Sequence, residues 1–344
     1  MLTPGLTPAA AAPSLGASDD DFAARCAAPG VVRCVGFDAP TDIVGNGEAV
    51  FGSLPGAATP ALDDSQRASG ASSLLFVIPS QSPANTSGSY FTNFSDDHSV
   101  RFGAGDTFFV QWRQRFSTEL LAREYLGGGG WKQVIIGTGN KPGQVYYSCT
   151  DLEVVTVNGY YRGFAQMYNS CSGSASHGAY DAFEEPFGPY DYKLQNARPA
   201  PYCLYSQAGA NPPTSFPPDG NCVPYVANEW MTFQVQIQIG PRVDDEFVGS
   251  RVKLWIAREG QPAELALDFG PYNLTAGAPA EDQRFGKVWL LPYNTGKDPT
   301  EIHPVAFTWY DELIVSRQRI ADPGVPPAVL DRRLHLPVIQ RAAP

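Results

Sequence analysis

The chain has 344 residues, of which 34 are Gly and 31 are Pro, about a fifth of the total, while only 17% are charged and 43% are hydrophobic. So many turn formers with so few charges exclude a helical bundle, a coiled coil and global disorder, and no apolar run reaches the ~18 residues of a membrane-spanning helix. The net charge of −11 argues against nucleic acid as a partner.

That charge is uneven. Residues 1–100 hold ten acids and three bases, and the first lysine of the chain is Lys132. The remainder is nearly balanced, so the acidity belongs to the N-terminal third and not to a site farther along.

In chain order, residues 1–20 read as a flexible Ala/Pro/Gly leader without the basic start and long apolar core of a signal peptide. Residues 21–321 read as one domain, and 322–344 as a Pro-rich tail. Phe108 to Phe116 alternates, with Phe108, Val110, Trp112, Gln114 and Phe116 on one side and Gln111, Arg113 and Arg115 on the other. Ser117 to Tyr125 predicts one short helical turn with Ser117 as its N-cap. Trp131–Ile136 follows a four-glycine turn as a strand, and 162–168 puts Arg162, Phe164, Gln166 and Tyr168 on one side. Phe233–Ile239 has the cleanest period of two, with Gln234, Gln236 and Gln238 opposite its apolar side. Residues 251–257 pair Lys253 with Trp255, 287–291 pair Lys287 with Trp289 and lead to Tyr293, and 309–320 ends the set. Strands spread over some 300 residues with no linker and no 20–50-residue repeat predict an all-β sandwich of two antiparallel sheets.

The six cysteines fall into sequence-local couples, Cys26/Cys34, Cys149/Cys171 and Cys203/Cys222, with no Cys-x-x-Cys among them. Six cysteines allow fifteen pairings, so proximity alone suggests these three. Their Gly-, Ser- and Tyr-rich surroundings predict disulfide-stapled loops in a secreted or periplasmic protein. Asn85, Asn93 and Asn273 stand in the Asn-x-Ser/Thr pattern of surface loops.

A solvated strand face is ordinarily rich in Lys, Glu, Thr and Ser. Here five faces combine Gln, Arg and Lys with aromatics and carry no central acid. If the five strands were adjacent they would form a concave floor. Planar amides and guanidinium groups bond hydroxyls and carboxylates, and aromatic faces pack on sugar rings. The expected partner is a polysaccharide, and the bases with no acids favour an acidic one. On this floor Gln111, Arg115, Lys132, Arg162, Gln166, Tyr168, Gln234, Gln236, Lys253, Trp255, Lys287, Trp289 and Asn294 are the expected substrate-binding residues.

The motif order resembles the jelly-roll polysaccharide lyases of the concanavalin A-like superfamily, the alginate, glucuronan and heparin lyases. The resemblance covers roughly 30–320 through Val35-Gly-Phe-Asp38, Gln111-Trp-Arg113-Gln-Arg115, Trp131-Lys-Gln133, Trp230-Met-Thr-Phe-Gln-Val-Gln, Lys287-Val-Trp-Leu-Leu-Pro-Tyr293-Asn294 and Trp309-Tyr-Asp311. It implies a jelly-roll fold and β-elimination from a uronate. Arg113, Gln133 and Asn294 would neutralise the carboxylate, and Tyr293, with Tyr168 as the second choice, would transfer the proton. One departure stands out: the Gln strand continues to a His in the alginate lyases, but Gln133 is followed by Val134 and Ile135, leaving His303 or His177 to arrive from a loop, with His303 the candidate for the base. The superfamily also implies a structural Ca²⁺ near Asp38 and Asp311, and no cofactor for catalysis. A glycoside hydrolase would need paired carboxylates on one strand, approached only by Asp151/Glu153 and Asp311/Glu312. A non-catalytic carbohydrate-binding, adhesion or structural protein would need no acid/base pair.

Overall fold

The computed structural model describes residues 19–43, 51–52, 60–122, 125–126, 130–142, 144–146, 152–159, 164–169, 223–244, 246–275 and 284–324. Two short helices, α1 (Asp19–Cys26) and α2 (Thr118–Ala122), accompany fifteen strands among these residues. The strands are β1 (Val31–Val35), β2 (Phe51–Gly52), β3 (Ala61–Asp63), β4 (Ser73–Ile78), β5 (Tyr90–Asn93), β6 (Thr107–Phe116), β7 (Gly130–Thr138) and β8 (Glu153–Gly159). They continue as β9 (Phe164–Asn169), β10 (Trp230–Gln238), β11 (Arg242–Val243), β12 (Glu246–Ala257), β13 (Glu264–Thr275), β14 (Phe285–Leu290) and β15 (Ala306–Ser316). Helix α1 starts inside the span read as leader. Ser117 Oγ accepts the Leu120 N–H at 3.2 Å, so α2 begins at the cap its sequence predicts.

The expected sandwich of two antiparallel sheets is what the chain forms. A nine-stranded sheet runs β11-β12-β10-β6-β15-β4-β3, with β1 also on β15 and β13 also on β12. A six-stranded sheet runs β2-β5-β14-β7-β8-β9. Their facing sides share one apolar core, including Phe108, Trp112, Val134, Ile136, Val154, Phe233, Leu254, Val288 and Tyr310. Inside it, Gln133 Nε2 donates to Gln114 Oε1 at 2.9 Å, and Tyr225 Oη donates to Gln133 Oε1 at 2.6 Å. Gln114 Nε2 donates in turn to Thr308 Oγ1 at 2.9 Å. These polar groups carry their own partners, which burial in an apolar core demands.

Two bulges redirect side chains. In β7 the register against β8 slips between Lys132 and Val134, which inserts Gln133 as an extra residue and turns it inward. In β15 three steps from Asp311 to Ile314 match two on β6, from Arg113 to Gln111, so Asp311 and Glu312 both reach the outer side. Glu312 has φ of 49°, a left-handed conformation that costs a non-glycine residue about 1–3 kcal/mol. Cys26 and Cys34 form a disulfide; Cys149, Cys171, Cys203 and Cys222 lie outside the described residues.

Candidate functional site

The five strands of the expected floor do not share a sheet. Strands β6, β10 and β12 belong to the nine-stranded sheet, and β9 and β14 to the six-stranded one. A period of two separates the faces of each strand but carries no information on which strands become neighbours.

The Gln/Arg face of the nine-stranded sheet is covered. Helix α1 and the segment from Arg317 to Asp322, from opposite ends of the chain, lie across it. Arg25 Nη1 donates to Gln111 Oε1 at 2.8 Å, and Arg25 also pairs with the buried Glu312 carboxylate. Arg113 Nη1 stands 3.5 Å from Glu312 and its Nη2 3.2 Å from Glu259. Gln234 holds both backbone groups of Ile320, accepting its N–H at 2.9 Å and donating to its carbonyl at 3.0 Å. Gln111 Nε2 donates to Ala321 O at 3.1 Å. Gln111 and Gln234 are therefore buried fastenings for α1 and the C-terminal segment, and Arg113 is buried between the Glu312 and Glu259 carboxylates. Arg115 donates to the Asn228 carbonyl. Gln236 lies on the same outer face, between Phe109 and Lys253. Lys253 is 3.4 Å from Asp268, and Trp255 lies under the Arg319 guanidinium at 4.8 Å.

Other expected residues are displaced as well. Gln133 points into the core through its bulge. Asn294, buried beside Trp131, bridges to it in an antiparallel pair. His303 packs edge-on against Tyr125 at 4.5 Å with Nδ1 2.7 Å from its neighbour's carbonyl, Pro304 O. Arg162 and His177 lie outside the described residues. Asn93, read as a surface sequon, is fully buried.

Asp38 takes the Ala71 and Ser72 amides on one oxygen, and Asp311 takes those of Ala68, Ser69 and Glu312. A calcium ion needs six to eight oxygens. These two carboxylates instead secure the 68–72 turn. Among the described residues no group of three or more His, Cys, Asp or Glu gathers to hold a metal, so the donor set does not fit the ion. Burial, reinforced by the neighbouring Glu312, pushes the Asp311 carboxyl well above its usual range.

What the structure does bring together lies on the outer face of the six-stranded sheet. Phe91, Ile135, Val155, Trp289 and Leu291 form a second buried cluster there, with Tyr168, Tyr293 and Val145 against it. Lys132, Glu153, Gln166 and Lys287 share this face through cross-strand pairing. Lys287 and Glu153 sit opposite the same residue of β7, Gly137, from either side. Gly137 places no side chain between them, and the Glu153 charge acts on the Lys287 ammonium. The Lys132 ammonium lies 4.8 Å from the Tyr293 ring centroid and the Lys287 ammonium 5.2 Å from that of Trp289, a favourable placement over the negative ring faces.

Lys287 is 3% exposed and donates to Asn140 Oδ1 at 2.7 Å and to the Tyr146 carbonyl. Burial drives its ammonium down to about 7, with Glu153 pulling the other way. Burial also lowers Lys132, again opposed by Glu153. The arrangement supplies an amine able to take or give a proton near neutrality, a half-buried phenol beside a cation, and flat aromatic surface. Asn140, Asn93 and Glu153 were not legible as site residues. Asn140 lies in an unpatterned loop, and the acid of β8 stands among Val residues.

No protein-family model matches the chain, and no curated protein matches it. The fold is similar to several solved structures at low identity. A PL-14 alginate lyase from Aplysia kurodai is 11% identical, with a TM-score of 0.43, over 74% of this chain and 86% of its own. Alginate lyase Aly36B is 14% identical, TM-score 0.42, over 86% and 100%. Alginate lyase vAL-1 from Chlorella virus is 10% identical, TM-score 0.37, over 84% and 100%.

Proposed function

We propose that this protein cleaves a uronic-acid-containing polysaccharide by β-elimination on the outer face of the six-stranded sheet. The observation that carries the reading is Lys287: an amine held by two acceptors, with its proton affinity brought near neutrality, on the face that also carries Trp289, Lys132 and Tyr293. In this reaction the neutral Lys287 amine takes the C5 proton of a uronate whose carboxylate is balanced by Lys132. The C5 electron pair forms the C4–C5 double bond as the C4–O4 bond breaks, and Tyr293 Oη gives its proton to O4. One glycosidic bond is lost, no water is consumed, and a fixed cation near the developing charge lowers the barrier. Arg113 and Gln133 take no part, since both are engaged elsewhere. Secretion or export to the periplasm goes with this reading, because a polymer of this kind lies outside the cell.

A non-catalytic carbohydrate-binding role is favoured by one observation: Lys287 is 3% and Trp289 7% exposed, so the rim groups Lys132, Tyr168 and Tyr293 meet a polymer first. One assay separates the two. The protein is incubated with alginate, glucuronan, heparin and pectin, and the absorbance of the new C4–C5 double bond is followed. Product from one polymer, abolished in Tyr293→Phe with binding retained, supports elimination. Unchanged turnover in that variant refutes the role of Tyr293. Binding without product from any polymer refutes the lyase.

A further inference from the structure

Resting on that reading, we propose that Asn140 and Asn93 are positioning residues that orient the Lys287 amine for proton transfer. The backbone N–H of Tyr146 can only donate, and it donates to Asn140 Oδ1 at 3.0 Å, which fixes the oxygen and not the NH2 toward this side. Lys287 Nζ meets that same oxygen at 2.7 Å and the Tyr146 carbonyl besides. Both partners are acceptors. A neutral amine has two N–H bonds and one lone pair, so two fixed acceptors consume both hydrogens and leave the lone pair aimed along a single remaining direction. When the amine takes a proton, the new N–H occupies that same direction. The cradle therefore sets one axis for proton transfer in both states, with no reorganisation between them.

The cradle is itself held. Asn93 on β5 grips the Asn140 backbone from both sides, donating from Nδ2 to Asn140 O at 2.8 Å and accepting Asn140 N–H on Oδ1 at 3.0 Å. Asn93 stands directly opposite Lys287 on β14. Asn93 and Asn140 are fully buried and Lys287 nearly so, so water does not compete for these bonds. Asn93, Asn140, Tyr146 and Lys287 thus form one closed set joining β5, β14 and the loop after β7. The charged group acting on Lys287 is Glu153 on β8, which also acts on Lys132 farther along β7. Lys141 follows in the same loop. His98 lies against Gly139, and the Arg101 side chain lies against Gly286.

The test reads Lys287 directly. With six lysines in the chain, ¹³Cε-lysine NMR resolves each titration, and Lys287 is assigned by the signal lost in Lys287→Met. In the unaltered protein the Lys287 midpoint is expected at about 7. Asn140→Asp places a carboxylate against the amine and is expected to raise the midpoint by at least one unit, tenfold in proton affinity, as an opposite charge at this range does. Asn93→Ser frees the loop and is expected to return the midpoint toward the ordinary lysine value of 10.5. The lower limb of the pH profile of kcat/KM should move by the same amount in each variant. A purely structural role would lower Tm and leave the midpoint in place, and that result overturns the proposal. So does an unaltered protein whose Lys287 titrates as an ordinary lysine, or a pH profile that ignores a shifted midpoint while product still forms. If the midpoints move as expected but no polymer yields unsaturated product, the lyase reading falls and the orientation of Lys287 stands.

Discussion

Among the side chains that fasten helix α1 to the nine-stranded sheet, beside the Cys26–Cys34 disulfide, Arg25 is the one whose removal has a calculable cost. In Arg25→Met the apolar stem is kept while the guanidinium, which pairs with Glu312 and bonds Gln111, is lost. Arg25 and Glu312 have side-chain exposures of 3% and 0%, so solvent screening does not soften the effect. Removing one partner of a buried pair costs about 3–5 kcal/mol, because the other charge is left without compensation. Arg113 remains 3.5 Å from Glu312, which places the expected loss at the low end, about 3 kcal/mol. With an unfolding entropy of about 2.1 cal/mol/K per residue, a chain of 344 residues loses roughly 4 °C of Tm for that change. Thermal unfolding of Arg25→Met, Glu312→Gln and the double variant measures it. The double variant should be less destabilised than the sum of the singles, by about 2 kcal/mol, since contacting residues couple. A Tm within a degree of the unaltered protein, or strict additivity, would refute the view that this face is a fastening. Polymer affinity should stay unchanged in Arg25→Met. A loss of affinity without a loss of stability would restore Gln111 and Arg113 as groove residues.

Two further outcomes follow from the six-stranded face. A Cβ added at Gly137 would stand 2.9 Å from the Leu152 carbonyl and 3.5 Å from Glu153 Cβ; Gly137→Ala should cost about 1–3 kcal/mol by overpacking against backbone, seen as a lower denaturant midpoint, and a neutral result would mean β7 and β8 separate freely. Lys287 offers a pH test of stability: its folded value lies below its unfolded one, so between about 7 and 10.5 the unfolded chain binds the extra proton and stability rises with pH. The denaturation free energy of the unaltered protein, relative to Lys287→Met, should climb across that window, and parallel curves would show that Lys287 titrates normally.

Composition and strand periodicity were enough to show a β protein and which side chains share a strand face. Alternation from Phe108 to Phe116 and from Phe233 to Ile239 survives in β6 and β10, because one side of each strand must leave water. Ser117 as a cap and the Cys26–Cys34 staple were legible for the same local reason. Which faces stay open depends on contacts made after the strands have assembled. Gln111 and Gln234 looked like part of a polar floor, yet α1 and Ile320, more than eighty residues away in sequence, bury them, while Arg113 is taken up by Glu312 and Glu259. A one-residue bulge turned Gln133 inward, and nothing in Trp131-Lys132-Gln133 announces it. Pairing between distant strands then set Lys287 opposite Asn93 and across Gly137 from Glu153. Local pattern fixes the side of a strand, whereas covering a face and assembling a site require contacts between segments that the chain keeps far apart.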